Sequence, residues 1–383
     1  MNNAVIAGYV RTPFHFARKG QLISVRPDDL AAIAVKELVS RAGLDPALIE
    51  DVLMGCAYPE GEQGNNIARI ALLLAGFPDS VAGATINRFC GSSMAGIHYA
   101  AGQIAVGAGE VFVCAGVESM TRVPRGGFHP SPNPRFKGPG VTSPEIDIEA
   151  YVSMGQTAEN VAARYGVSRV EQEEFSLSSQ WKAAAAVAAG KLAQELVAVA
   201  APEGVVAADG CLRPQTSLEG LAKLAPAFGG TVTAGTASPL TDGAAAVLVC
   251  STSFAARHGL DVLARIRAVA SAGCPPELMG IGPVPATGKA LARAGLTIAD
   301  IDLVELNEAF ASQAIACARE LRIEPDRVNL DGGAIALGHP LGATGARITG
   351  KAAQLLKRTG KRYALATQCI GGGQGVATIL EAA

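Results

Sequence analysis

Short runs of consecutive apolar residues alternate along this chain with longer stretches in which apolar residues recur every three or four positions. Val111-Phe-Val-Cys-Ala115 and Ala244–Cys250 are of the first kind and end near Gly or Ser, as buried strands do. Leu30–Val39 is of the second kind, and Asp28-Asp29 before it put acids where a helix N-terminus favours them. Ser92–Val106 is small or apolar on nearly every side, which predicts a buried helix. This alternation predicts parallel or mixed sheets covered by helices. The middle of the chain differs. Between about Glu118 and Gly235, the Pro124–Pro144 segment is crowded with Pro and Gly and reads as loop. Helices are expected after it around Met154–Tyr165 and Arg169–Ala189, the second opened by acids and closed by Gly190.

An internal repeat organises these elements. Arg41-Ala-Gly-Leu44 recurs as Arg293-Ala-Gly-Leu296, an offset of 252 residues (41 to 293), and Ile49-Glu-Asp-Val52 matches Ile301-Asp-Leu-Val304 at the same offset. That shift also carries Cys90-Gly-Ser-Ser93 onto Gly342-Ala-Thr-Gly345. Farther on, Ala234–Leu248 lines up with Ala366–Leu380 at an offset of 132 (234 to 366). The difference between 252 and 132 places an insertion of about 120 residues in the first half. Four matches in one order favour duplication over chance similarity of Ala/Gly-rich stretches. The expected α/β architecture is therefore a duplicated core of two mixed-sheet halves with an inserted loop or cap domain. Residues 1–117 plus 236–252 form the N-terminal core half, 118–235 the insertion and 253–383 the C-terminal core half.

Composition narrows the function. With 383 residues, 49% hydrophobic and 17% charged, the chain has ample core and is not disordered. A net charge of -2 gives no electrostatic footprint for nucleic acid. No apolar stretch is long enough to span a membrane. Met1–Gly8 runs straight into strand-like sequence without a secretory pattern, and Ile379–Ala383 is not a peroxisomal address. The eight cysteines, scattered without paired spacing, suggest reduced thiols in a cytoplasm, one or two of them reactive. No Cys/His set has zinc spacing, so no metal site is expected. The 45 glycines, without a three-residue period, point to tight turns and close backbone approach.

Four segments can carry chemistry. In Asn87-Arg-Phe-Cys90-Gly-Ser-Ser-Met, a cysteine on a strand-to-helix turn would have its thiolate stabilised, and its pKa lowered, by the helix N-terminus. A buried small hydrophobe is the competing reading. His339 sits in the Gly-rich turn Ala334-Ile-Ala-Leu-Gly-His339-Pro-Leu-Gly, where it can take a thiol proton and orient a carbonyl oxygen, or else serve as a satisfied core histidine. In Cys369-Ile-Gly-Gly-Gly-Gln-Gly375 three consecutive glycines expose N–H groups able to hold an oxyanion. A phosphate or dinucleotide turn fits less well, because the glycine spacing is wrong and no Gly-Lys-Ser/Thr follows. Glu305-Leu-Asn307-Glu-Ala-Phe310 breaks from strand to helix, and Asn307 there can fix a water or cap the helix.

Together and in their chain order, with Cys90 first, then Asn307, His339 and Cys369, these segments closely resemble the thiolase family over essentially the whole chain, from Arg11-Thr-Pro13 to the C-terminal Gly-rich strand. The resemblance implies ping-pong acyl transfer between coenzyme A thioesters. CoA and acyl-CoA would be substrates, with no permanently bound cofactor. It implies Cys90 as the acyl-carrying nucleophile, His339 as its activator and Cys369 as the acid/base at the α-carbon. Asn307, through a water, and His339 would bind one thioester oxygen, and the N–H groups of Cys90 and Gly371 the other. By the same similarity Arg213, Ser238 and Met154, within the stretch Met154–Asn160, would line the CoA site, and Gly91, Gly338, Gly342, Gly345 and Gly371–Gly373 would sit at turns where a thioester meets bare backbone. Ser153 departs from biosynthetic members, many of which place histidine there. Asn87-Arg-Phe-Cys-Gly-Ser-Ser-Met and Phe128-His-Pro130 look more like degradative 3-ketoacyl-CoA thiolases of fatty-acid β-oxidation. An acetoacetyl-CoA thiolase working in the biosynthetic direction is the alternative. A decarboxylating ketosynthase would lack Cys369 in its glycine turn, and a lipid-binding scaffold would have lost a motif cysteine or histidine. The resemblance also implies a homodimer or homotetramer in the cytoplasm, while a hydratase/dehydrogenase partner is not readable.

Overall fold

The computed structural model describes residues 4–383; Met1, Asn2 and Asn3 of the strand expected at Met1–Gly8 lie outside the described residues. In chain order the first half contains strand β1 (Ala4–Arg11), β2 (His15–Phe16), helix α1 (Pro27–Arg41), β3 (Asp51–Gly55), α2 (Ile67–Leu74), β4 (Ala82–Ile86), α3 (Ser92–Val106) and β5 (Val111–Ser119). The middle carries α4 (Met154–Arg164), α5 (Arg169–Ala188), the hairpin β6 (Val199–Ala201) and β7 (Gly204–Val206), and α6 (Leu218–Ala222). The chain then returns through β8 (Thr241–Ser251), α7 (Thr252–Arg257), β9 (Ala264–Gly273), α8 (Pro283–Ala294), β10 (Leu303–Leu306) and α9 (Ala311–Leu321). It ends with α10 (Ala334–Leu337), α11 (Leu341–Thr359), β11 (Tyr363–Ile370) and β12 (Gln374–Ala382).

The strands pair in the order β10-β11-β12-β9-β1-β8-β5-β3-β4, with β2 added on β8. Pairing is parallel at β10–β11, β3–β4 and β3–β5, and antiparallel at the other neighbours on the path, so the sheet is mixed. Among the described residues, strand pairing between the two halves is confined to β1–β9, through Val5–Arg265 and Ile6–Ala264. At the offset of 252, β3 falls on β10 and β5 on β11, while α3 falls within α11; at 132, β8 falls on β12.

Strand pleating sends alternate residues to different cores. In β8, Ala244, Ala246 and Leu248 pack with α1 and α2, while Ala245, Val247 and Val249 face α3 and α11. A third core sets α8 and α9 against the outer face of β9–β12. Covered by helices on both faces, β5 and β8 are buried along their full length, and their sequences are apolar runs rather than alternations. No helix among the described residues is long and apolar enough to cross a membrane.

Two features seat the central helices. The first is missing side-chain volume. A Cβ on Gly345 would lie 2.4 Å from the Met94 nitrogen, one on Gly342 2.7 Å from the Gly55 oxygen, and one on Gly116 2.2 Å from the Gly342 oxygen. Gly342 and Gly345 were expected to present bare backbone to a thioester. They face protein instead, because α11 enters between α3 and the ends of β3 and β5 with no room for side chains.

The second is a buried ionic cluster docking the middle segment onto β1 and α11. Arg11 bonds Glu195 (2.7 Å) and holds Asp209 with two nitrogens (2.6 and 2.8 Å), and Lys351 bonds Glu195 (2.9 Å) and Asp331 (2.7 Å). Burying such charges costs roughly what their attraction returns, so the cluster fixes orientation more than it adds stability.

The glycine constraint is testable by melting curves. Gly345→Ala should destabilise by about 1–3 kcal/mol or more, the range for overpacking a tight core. Gly288→Ala, within α8 where an added Cβ meets nothing within 4 Å, should be neutral or stabilise by up to about 1 kcal/mol. Equal effects would contradict the packing argument.

Candidate active site

Cys90 lies two residues before α3, on a turn that the local sequence over-determines. Asn87 Oδ1 accepts from the Phe89 N–H (2.9 Å), Ser92 Oγ accepts from the Arg88 N–H (2.9 Å) and donates to the Phe89 carbonyl (2.5 Å), and the Gly91 N–H reaches the Arg88 carbonyl (2.9 Å). Phe89 is thereby held at φ +43°, a left-handed conformation that costs a non-glycine residue about 1–3 kcal/mol. The strain directs the next side chain, Cys90, towards the end of β11. A Cβ on Gly91 would collide with Ile370, so only glycine lets the turn come this close. The N–H groups of Gly371 and of Cys90 itself point at the Cys90 sulfur and favour its anion.

The expected thiolate, however, does not exist at rest. Burial outweighs these donors and the helix end, and together with the nearby Glu118 charge it pushes the Cys90 thiol up to about 11.

His339 follows Gly338, whose φ of +109° only glycine adopts readily. Its backbone N–H donates to Thr241 Oγ1 (3.0 Å), and its Nδ1 lies 2.7 Å from Thr344 Oγ1. The Thr344 hydroxyl donates to the Pro340 carbonyl (3.3 Å). Its oxygen therefore accepts from Nδ1–H, which assigns the tautomer and leaves Nε2 as an acceptor facing the Asn307 amide. Asn307 Nδ2 lies 3.4 Å from that Nε2. Asn307 Oδ1 is buried without a partner among the described residues. The helix-cap reading for Asn307 fails, since Phe310 occupies the N-cap of α9. Burial lowers His339 to about 4, so the ring is neutral at neutral pH.

Cys369 is the next-to-last residue of β11, which leads into the Gly371-Gly372-Gly373 turn, where Gly372 and Gly373 take φ of +78° and +82°. Its neighbours Ala158, Met279, Ala309 and Phe310 make an apolar surround that raises its thiol well above the ordinary value, with Cys90 the next largest influence. Gln368, one residue earlier, donates to the Cys90 carbonyl, and the Asn307 N–H bonds the Thr367 carbonyl (3.0 Å). The first turns of α3 and α11 are also tied, by the Ala346 N–H donating to Ser93 Oγ (2.8 Å). Cys90, Cys369 and Gly371 thus meet directly, His339 meets Asn307, and these backbone links join the two sets.

The other expected residues lie farther out. Met154 comes within 3.5 Å of where a Gly371 Cβ would be and packs beside Cys369. Ser238 donates through both N–H and Oγ to the Ala309 carbonyl (3.0 Å each), next to Phe310. Arg213 is exposed, its guanidinium 4.9 Å above the Phe16 ring.

Several contributors went unread in the sequence. Thr241 and Thr344 orient His339. Glu308 ties the Asn307 segment to the His339 loop, accepting from Ser179 Oγ (2.6 Å), Asn329 Nδ2 (2.7 Å) and the Ile335 N–H (3.1 Å). Glu308 stands within the Asn307 motif itself, and a carboxylate at a buried strand end was the available signal.

Comparisons with known proteins agree with the fold. Family models described as "Thiolase, N-terminal domain" and "Thiolase, C-terminal domain" match residues 4–253 and 260–382. The chain is 46% identical to the 3-ketoacyl-CoA thiolase of Bacillus subtilis (strain 168), covering 100% of both chains. It is 46% identical to that of Pseudoalteromonas translucida (strain TAC 125), covering 100% of this chain and 99% of the relative. The crystal structure of human mitochondrial 3-ketoacyl-CoA thiolase superposes with a TM-score of 0.90 at 38% identity, covering 100% of this chain and 99% of that one.

Two neutral groups at rest make a pH prediction. Below about 11 the Cys90 thiol keeps its proton, and above about 4 His339 stays neutral. Iodoacetamide alkylation of Cys90 should therefore accelerate continuously from pH 6 to 10. A plateau already reached at neutral pH would reveal a thiolate–imidazolium pair and contradict the assignment.

Proposed function

The chain belongs to the thiolase family, and from that premise we propose that this acyltransferase cleaves 3-ketoacyl-CoA with CoA, giving acetyl-CoA and a shortened acyl-CoA. The supporting observation is a convergence: two N–H donors aim at the Cys90 sulfur while a second, differently surrounded thiol, Cys369, lies within Coulombic reach.

In the reaction the Cys90 sulfur attacks the keto carbon and its proton passes to His339 Nε2. The carbonyl oxygen becomes an oxyanion, held by the N–H groups of Cys90 and Gly371. The bond between the keto carbon and the α-carbon then breaks. Its electron pair leaves as the enolate of acetyl-CoA, whose oxygen is met by His339 and, through a water, Asn307. Cys369 gives its proton to the α-carbon, so the high proton affinity of that thiol keeps it in the form the step requires. The resulting Cys369 thiolate takes the proton of the incoming CoA thiol. CoA sulfur attacks the acyl group, Cys90 leaves as thiolate, and His339 returns the proton to it. Thiolate is both a strong nucleophile and a good leaving group, so the acyl-enzyme is not a dead end.

Met154, beside Gly371, and Ser238, beside Phe310, suit the thioester arm of CoA. Arg213, an exposed cation on Phe16, suits its anionic end. The same reading divides the chain into core halves 1–117 plus 236–252 and 253–383, with 118–235 as an inserted clamp on CoA. A cytoplasmic homodimer or homotetramer goes with it.

Comparing 3-ketoacyl-CoA substrates of four carbons and longer tests the reading. The wild type should cleave the longer chains well; activity confined to the C4 substrate would replace it by acetoacetyl-CoA thiolysis. Cys369→Ala should still accept an acyl group from acetyl-CoA but lose turnover by about 10²–10⁴-fold, the contribution of positioned acid–base groups. Full turnover in that variant would contradict the role given to Cys369.

A further inference from the structure

Glu118, next to the last residue of β5, is 1% exposed and takes no part in the steps above. Its carboxylate accepts from the Ala57 N–H (2.8 Å), the Tyr58 N–H (3.3 Å), Gln63 Nε2 (2.8 Å) and the Gly342 N–H (3.0 Å), with Cys56 Sγ at 3.8 Å. Burial raises the Glu118 carboxyl above its ordinary value, and the donors from Ala57, Gly342, Gln63 and Tyr58 oppose that rise; a carboxylate has about four lone-pair sites and no donors of its own, so this shell suits the charged form, whereas an amide would turn donors onto N–H groups. The donors come from distinct parts of the chain. Ala57 belongs to the loop after β3, and its carbonyl accepts from Asn87 Nδ2 (3.1 Å). Asn87 in turn fixes Phe89 (2.9 Å) and hence the Cys90 turn. Gly342 lies in the first turn of α11, three residues after His339. That helix has no side-chain cap of its own, and an anion at its N-terminus is the partner its dipole favours.

We propose that Glu118 is a positioning residue that holds the Cys90 turn and the His339 loop in register while setting a buried negative charge within Coulombic reach of the nucleophile. The proposal rests on Cys90 being that nucleophile. The groups acting on Cys90 are Glu118, Arg125, Tyr58 and Cys369; those next to Glu118 are Cys56 and Tyr58. Arg125 favours the thiolate and Glu118 opposes it, with Glu118 the stronger of the two. Glu118 therefore adds to burial in keeping the free enzyme's thiol protonated until a thioester arrives.

The full-length enzyme with Glu118→Gln or Glu118→Asp tests this by two readouts, the pH profile of Cys90 alkylation by iodoacetamide and the separate kcat and KM values. Glu118→Gln removes the charge. Its alkylation profile should move to lower pH by roughly half a unit or more, and kcat should fall about tenfold, as losing one well-placed hydrogen bond allows, with KM nearly unchanged. Glu118→Asp keeps the charge but shortens its reach, so kcat should fall while the profile stays near wild type. An unmoved profile in Glu118→Gln overturns the proposal, whether activity is kept or is lost only in step with folded protein. Full kcat in Glu118→Asp also overturns it, and decides the matter if Glu118→Gln does not fold. Labelling of a thiol other than Cys90 in the wild type would instead sink the nucleophile assignment, and this proposal with it.

Discussion

The close approach of α3 and α11 governs the rest of this structure. Their N-terminal ends meet where an added Cβ on Gly345 would lie 2.4 Å from the Met94 nitrogen, and the end of β3 presses on α3 as closely, a Cβ on Gly55 falling 2.3 Å from the Ser93 nitrogen. Cys90 precedes α3 by two residues, and His339 precedes α11 by two. The spacing between Cys90 and His339 is therefore set by side chains that are absent. The sheets supply a rigid frame, and the ionic cluster around Arg11, Glu195 and Lys351 keeps α11 from sliding against it.

Electrostatics then works against geometry in the free enzyme. Donors converge on Cys90, yet burial leaves it protonated, and burial also leaves His339 neutral. In the proposed reaction, charge separation is deferred until a substrate carbonyl arrives to accept the electron pair, and the N–H groups of Cys90 and Gly371 would then stabilise an oxyanion instead of a thiolate. Cys369 obeys the same logic in a drier, more apolar surround.

Much of this was legible in the sequence where the signal was local. Ser92–Val106 forms the helix its small and apolar residues predict, and the two helices expected in the insertion end within one residue of their predicted bounds. The offset of 252 residues is the spacing of whole elements, since duplication copies period and length together. Long-range pairings were not legible. Arg11 and Glu195 are separated by 184 residues, and neither carries a pattern that names the other. Glu118 sits in an apolar strand, where one carboxylate gives no hint of the four donors around it. The expected low pKa of Cys90 failed for a related reason: a helix end is visible in a sequence, whereas desolvation depends on everything folded over it. The glycines misled similarly, since Gly342 and Gly345 answer to a neighbouring helix and not to a substrate.

The central claim is that acyl groups travel on Cys90. Incubating the enzyme with acetyl-CoA, quenching in acid and mapping its peptides by mass spectrometry tests that claim most directly. One acetyl group on the peptide containing Cys90, discharged by added CoA, is the predicted result. An acetyl group on Cys369 or any other residue, or no acyl-enzyme in a preparation that turns over, would contradict it.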